Sequence, residues 1–134
     1  VISAFDLVAV QEVNEDMAEF QAVMRLLGPH WNYIVTDQSG NMERLAFVYD
    51  TRTLQYRHVA GEIVLPAKAE KQPIQFNRTP FLVAFQAGWF KFNICTVHLY
   101  YGSAKDTSDR RREIADIEDR YVEPVAQPVN VGGA

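Results

Sequence analysis

Residues 81–97 constrain the fold more than any other part of the chain. Phe81-Leu82-Val83-Ala84-Phe85 and Phe90-Lys91-Phe92-Asn93-Ile94-Cys95-Thr96-Val97 flank a turn at Ala87-Gly88, the layout of a β-hairpin opened by Pro80. Side chains alternate along a strand, so Phe81, Val83 and Phe85 share one face while Leu82 and Ala84 share the other. Strands that are apolar on both faces want cover on two sides, for instance a helix layer and a second sheet.

The chain is long enough to build that cover. Its 134 residues suit one domain with a real core and are too few for two ordinary ones. An apolar content of 48% beside 22% charged residues describes a folded globular chain. No apolar run approaches the ~20 residues of a membrane span. The opening Val1-Ile2-Ser3-Ala4-Phe5-Asp6 has neither an initiator Met nor the layout of a signal peptide, and it reads as a cut inside a longer protein. The single cysteine, Cys95, cannot form an internal disulfide, so the piece needs no oxidising compartment. Thirteen basic against seventeen acidic residues give a net charge of −4, which argues against a general polyanion-coating protein. A focused phosphate site stays open, because a bound divalent cation inverts local charge.

Phe5-Asp6-Leu7-Val8-Ala9-Val10-Gln11 is a nearly continuous apolar run and predicts a strand buried on both faces. Asn14 offers an N-cap for a helix over 15–27, in which Phe20, Val23, Met24 and Leu27 share a face before Gly28-Pro29 closes it. Strand then helix suggests an α/β opening. Residues 31–36 and 45–49 read as strands separated by the turn cluster Gln38-Ser39-Gly40-Asn41, and 54–59 as another after the turn at 50–53. Residues 60–78 read as a long surface loop with a charged stretch at 68–71 and one short strand near Ile63-Val64-Leu65. Thr107 or Ser108 is placed to cap a last helix over 108–122, with Ile114, Ile117 and Tyr121 on one face and Pro124 as its stop. Residues 125–134 look like tail.

Several residues have the chemistry of a site. Glu12 follows an apolar strand, and ligands collect outside the carboxyl ends of strands in open α/β sheets. A carboxylate there suits a hard cation such as Mg²⁺, although a solvated acid is the plainer reading. His98 ends a second core strand, where a histidine bonded to a backbone group is the plain alternative. Arg78 precedes a third strand and its fork suits a phosphate or a carboxylate, while most loop arginines are simply solvated. Arg110-Arg111-Arg112 would grip a phosphate backbone or form a solvated face eased by Asp106 and Asp109. Tyr100-Tyr101-Gly102 directly follows the histidine strand and suits either base stacking at a substrate rim or cover for the core.

Taken in order, four of these segments form a pattern: Gln11-Glu12, Glu43-Arg44-Leu45-Ala46-Phe47-Val48-Tyr49, Arg78-Thr79-Pro80-Phe81 and Thr96-Val97-His98-Leu99. The pattern resembles the first half of the endonuclease/exonuclease/phosphatase superfamily, the deoxyribonuclease-I-like fold. The resemblance implies an α/β chain forming one half of a four-layer α/β/β/α sandwich. Residues 1–134 would then be a partial domain lacking its first strand and its C-terminal half. Carried over residue by residue, it implies that Glu12 is a ligand to Mg²⁺ or Mn²⁺ and that His98 contacts the scissile phosphate. Arg78 would lie toward the substrate backbone, Asn14 would touch substrate or cap the helix, and Tyr100 would line the substrate rim. Tyr49 and Glu43-Arg44 match the framework more than the chemistry, and Asn41 stands where some members carry a tyrosine.

The family's Gly-Asp-x-Asn and closing Asp-His are absent from these residues, and Asn130-Val131-Gly132-Gly133 does not substitute. The implied function is therefore a fragment of a divalent-metal-dependent phosphodiesterase, with a nuclease acting on nucleic acid as the lead. A phosphatase or sphingomyelinase-type lipid phosphodiesterase of the same fold, or a non-catalytic interaction module, are the alternatives. Two helices cover only one sheet face, so the other is expected to await the missing half or a second chain, with the piece alone catalytically silent.

Overall fold

The computed structural model describes residues 1–38, 42–66, 74–103 and 106–121. It is a mixed α/β arrangement of two α-helices and two small antiparallel three-stranded sheets, divided into two units, Val1–His98 and Leu99–Ala134. No helix among the described residues is long and apolar enough to cross a membrane.

In the first unit, β1 (Leu7–Val13), β2 (Trp31–Val35) and β3 (Arg44–Asp50) form one sheet in the order β1-β3-β2. The second sheet has the order β4-β5-β6, with β4 (Gln55–Glu62), β5 (Phe81–Ala87) and β6 (Phe90–Thr96). The two central strands are the most apolar, because a strand with neighbours on both sides shows water neither edge. Leu45, Phe47 and Tyr49 of β3 meet Phe81, Val83 and Phe85 of β5 in one buried cluster with Leu54. The Phe47 ring lies 5.7 Å from Phe81 and 6.0 Å from Phe85, and Tyr49 lies 5.2 Å from Phe85. These contacts stack the sheets face to face. On the opposite face of the first sheet, Tyr33 pairs across with Val48, and Phe20 of α1 (Ala18–Leu27) meets Tyr33 edge-on at 5.0 Å. The unit is thus layered helix, sheet, sheet.

The inner face of β5, with Phe81, Val83 and Phe85, is covered by β3 of the same chain, so that face is not the open one expected. Other differences are local. The first strand is displaced by two residues from the expected 5–11 and is not buried on both faces: among the described residues it pairs with β3 alone, and Val13 is its one fully buried residue. The helix begins at Ala18 rather than 15, with Met17 rather than Asn14 as its N-cap and no capping bond from that residue's side chain; just ahead of it the Asp16 carboxylate accepts the Ala18 N–H at 2.9 Å. No strand forms at 63–65. The sheet ends at Glu62, and the Gln75 side chain instead bonds both the N–H and the C=O of Leu65, at 2.8 and 2.9 Å. The hairpin turn is Gly88-Trp89, one residue later than read, since Ala87 pairs with Phe90. Gly88 has φ 57, a positive angle that a glycine adopts without steric cost.

In the second unit, α2 (Ser108–Tyr121) is initiated by Asp106, whose carboxylate accepts the Ser108 N–H at 2.9 Å, rather than by Thr107 or Ser108. That backbone bond comes first among the causes holding the Asp106 carboxyl below its usual range. Gly102 has φ 76, and a Cβ there would sit 2.5 Å from the Asp106 carbonyl oxygen. Residues 39–41 of the turn cluster, the charged stretch 68–71, Pro124 and the tail 125–134 lie outside the described residues.

Candidate functional site

The site begins with a defect in β1. Its register with β3 breaks between Val10 and Val13, and Glu12 inside this bulge has φ 58, in the left-handed region that costs a side-chain-bearing residue energy. A bulge re-aims a side chain that regular alternation would place elsewhere. Beside it, the Gln11 amide donates to the Val97 carbonyl, tying the end of the first sheet to the chain just beyond β6. The result brings Glu12 Oε1 to 3.6 Å from His98 Nε2.

The other ring nitrogen faces a second carboxylate. His98 Nδ1 lies 3.6 Å from Glu43 Oε2, and the same oxygen accepts from Arg78 Nε at 3.1 Å. Side-chain exposure grades from 13% at Arg78 through 21% at Glu43 and 19% at His98 to 68% at Glu12. Four residues from four separate segments therefore form one row, its inner end an ion pair and its outer end a solvent-facing carboxylate. Distances of 3.6 Å are too long for hydrogen bonds. His98 Nδ1 is buried and has no hydrogen-bond partner among the described residues. Long, incomplete contacts of this kind in an unliganded site often tighten when a ligand arrives.

The residues expected from sequence fall into three groups. Glu12, Arg78 and His98 come together. Asn14 is exposed and shares with Glu12 an open depression of about 180 Å³ also lined by Asp16 and Glu19. Tyr100 belongs to the second unit, where its N–H donates to Glu113 Oε2 at 2.7 Å and its side chain is 40% exposed. In the same unit the Arg110 guanidinium lies 5.9 Å from the centre of the Tyr101 ring, and Arg112 pairs with Asp109 at 3.0 Å. Asn41 lies outside the described residues.

Arg78 is held by Glu43 rather than standing as a solvated loop cation. Glu43 is the residue that sequence reasoning missed, having been taken as framework. The available signal was its place: a charge directly before a fully buried strand, the counterpart of Glu12 and His98 at other strand ends. Tyr49, also read as framework, is buried in the core, and desolvation pushes its phenol up, with Tyr56 adding to the shift and the Asn32 hydrogen bond opposing it.

Among the described residues no three His, Cys, Asp or Glu side chains are grouped to hold a metal ion. A closed four-ligand site of the zinc type is therefore not formed by them. The exposed Glu12 carboxylate could supply one ligand to Mg²⁺ or Mn²⁺, ions that commonly keep several of their waters. No family model matches this chain, and no curated protein matches it significantly.

Proposed function

We propose that residues 1–134 carry the first half of the site of a divalent-metal-dependent phosphodiesterase acting on nucleic-acid backbones. The observation that supports it is the approach of Glu12 and of the Arg78-bound Glu43 to opposite nitrogens of His98, whose buried Nδ1 has no hydrogen-bond partner among the described residues. A histidine serving only the fold would be expected to satisfy that nitrogen. Glu43, itself fixed by Arg78, lies beside the inner edge of the imidazole, and a ligand that tightened this contact would orient the ring. Nε2 is left on the exposed side beside Glu12, where it donates to a phosphate oxygen and stabilises charge developing in the transition state.

Glu12 would hold Mg²⁺ or Mn²⁺. When bound, the ion neutralises phosphate charge and makes its water more acidic. The acids that orient the attacking water in the resembled family are absent from these residues, so they would come from sequence outside them. Nucleic acid is preferred over lipid because, within the second unit, Arg110 lies over the Tyr101 ring beside Tyr100, a combination that suits a phosphate backbone with stacking bases.

The test is Mg²⁺-dependent hydrolysis of plasmid DNA, RNA, sphingomyelin and a simple phosphodiester by the full-length protein and its His98→Ala variant. Turnover of nucleic acid should fall by ~10²–10³ with little change in melting temperature. Turnover of sphingomyelin alone would move the assignment to a lipid phosphodiesterase. A variant that unfolds, while its folded fraction keeps full turnover, would make His98 a core residue.

A further inference from the structure

The end of the first unit away from His98 carries a feature that the catalytic reading does not use. At the tip of the β5–β6 hairpin Trp89 is 99% exposed and Phe90 67% exposed. Two-residue hairpin turns beginning with glycine ordinarily place a small polar residue second, and here that residue is tryptophan. Cations flank the tip. Lys91 is exposed and pairs across the hairpin with Gln86, which accepts from the Arg57 guanidinium on β4 and donates to the Gly88 carbonyl at 2.8 Å. Residues 81–97 contain no Asp or Glu, and the one acid of β4, Glu62, pairs with Phe81 at the far end of the sheet. Of the two acids that flank the first sheet at this end, Asp50 is paired with Arg52, while Asp6 accepts a hydrogen bond from the Thr53 hydroxyl and keeps its charge. A chain of net charge −4 thus presents an aromatic tip with two cations, Lys91 and Arg57, beside it.

We propose that the Gly88-Trp89-Phe90 tip docks on an anionic lipid surface, its two aromatic rings entering the headgroup layer while Lys91 and Arg57 face the lipid phosphates and carboxylates. Tryptophan favours the membrane interface, where an apolar ring body and a polar N–H are both accommodated, and basic neighbours add attraction to anionic lipid. Two features disfavour a nucleic-acid strand as occupant. The tip is a hairpin turn and offers no groove to track a backbone. It also lies a full strand away from His98, about 20 Å at ~3.4 Å per residue, so a strand lying across the site does not pass over it. Docking therefore turns the His98 end away from the bilayer. It is a tether, independent of the reading of the site.

The measurement is co-sedimentation of the full chain with phosphatidylcholine vesicles, with and without phosphatidylserine, together with tryptophan emission. Binding is expected only with phosphatidylserine, accompanied by a blue shift. It should weaken about tenfold or more in Trp89→Ala and in Lys91→Glu, and persist in Trp31→Phe. No binding by the wild type, equal binding by Trp89→Ala, or equal binding to pure phosphatidylcholine overturns the proposal. Trp89-dependent binding of single-stranded DNA, or Trp89-dependent self-association, in the absence of vesicle binding also overturns it.

Discussion

β3 ends in one carboxylate and is preceded by another, and the two are handled in opposite ways. Asp50, its last residue, is buried and takes its bonds from a neighbour two positions away. Arg52 donates Nε to both carboxylate oxygens at 3.0 and 3.1 Å, a terminal nitrogen at 2.6 Å and its backbone N–H at 2.9 Å. The side-chain bonds, then the backbone bond, hold the Asp50 carboxyl down to about 2. Glu43, one residue before β3 begins, is instead bonded across 35 residues to Arg78 and faces a histidine 3.6 Å away that it does not hydrogen-bond. A locally satisfied carboxylate needs nothing further and secures a turn. A carboxylate that faces a histidine nitrogen without a hydrogen-bond partner leaves capacity for something not in the chain.

Both ends rest on one core, so the largest expected effect erases the distinction between them. Phe85 is fully buried against Phe47, Tyr49, Tyr56 and Phe92. Phe85→Ala should cost about 3–5 kcal/mol and lower the denaturation midpoint of the whole first unit in one transition. Separate unfolding of the two ends would show that they do not share that core.

A smaller effect sharpens the comparison through backbone strain. Glu12 and His58 both have positive φ, 58 and 60, within register breaks of β1 and β4. Glycine relieves such strain and loses more chain entropy, leaving a net gain of a few tenths to about 1 kcal/mol. Glu12→Gly should thus be slightly more stable and inactive, whereas His58→Gly should be slightly more stable and fully active. Loss of stability in Glu12→Gly would mean that its carboxylate serves the fold.

Much of this was legible in the sequence, and the failures have physical causes. The apolar content of 45–49 and 81–85 located both central strands, because burial on two faces leaves an unbroken run. The layering was legible only as a demand for a helix layer and a second sheet. Periodicity states that a face wants cover but not which segment supplies it, and here the cover for β5 was β3. At the site, Glu12 and His98 were visible as charges at strand ends, and Arg78 as a cation before one. Glu43 was passed over because its meaning depends on a pairing 35 residues away, and the bulge that aims Glu12 has no signature in a side-chain pattern.

The smallest predicted effect concerns acid. The Asp50 carboxyl is lowered in the folded chain, so its contribution to stability is complete above its usual value of 3.8 and is lost as pH falls toward about 2. Denaturation midpoints of the wild type and Asp50→Asn should therefore converge across that window and differ by a constant amount above it. A difference independent of pH down to 2 would remove the Arg52 pair as its cause.

The claim that the His98 end is built for a ligand while the Asp50 end is complete in itself is tested most directly by titrating Mn²⁺ into the chain and following paramagnetic broadening residue by residue in NMR spectra. Broadening should centre on Glu12 and spread to Asn14 and His98, leave Asp50 and Arg52 sharp, and disappear in Glu12→Gln. Broadening centred on Asp50, or a pattern unchanged by Glu12→Gln, would contradict the account.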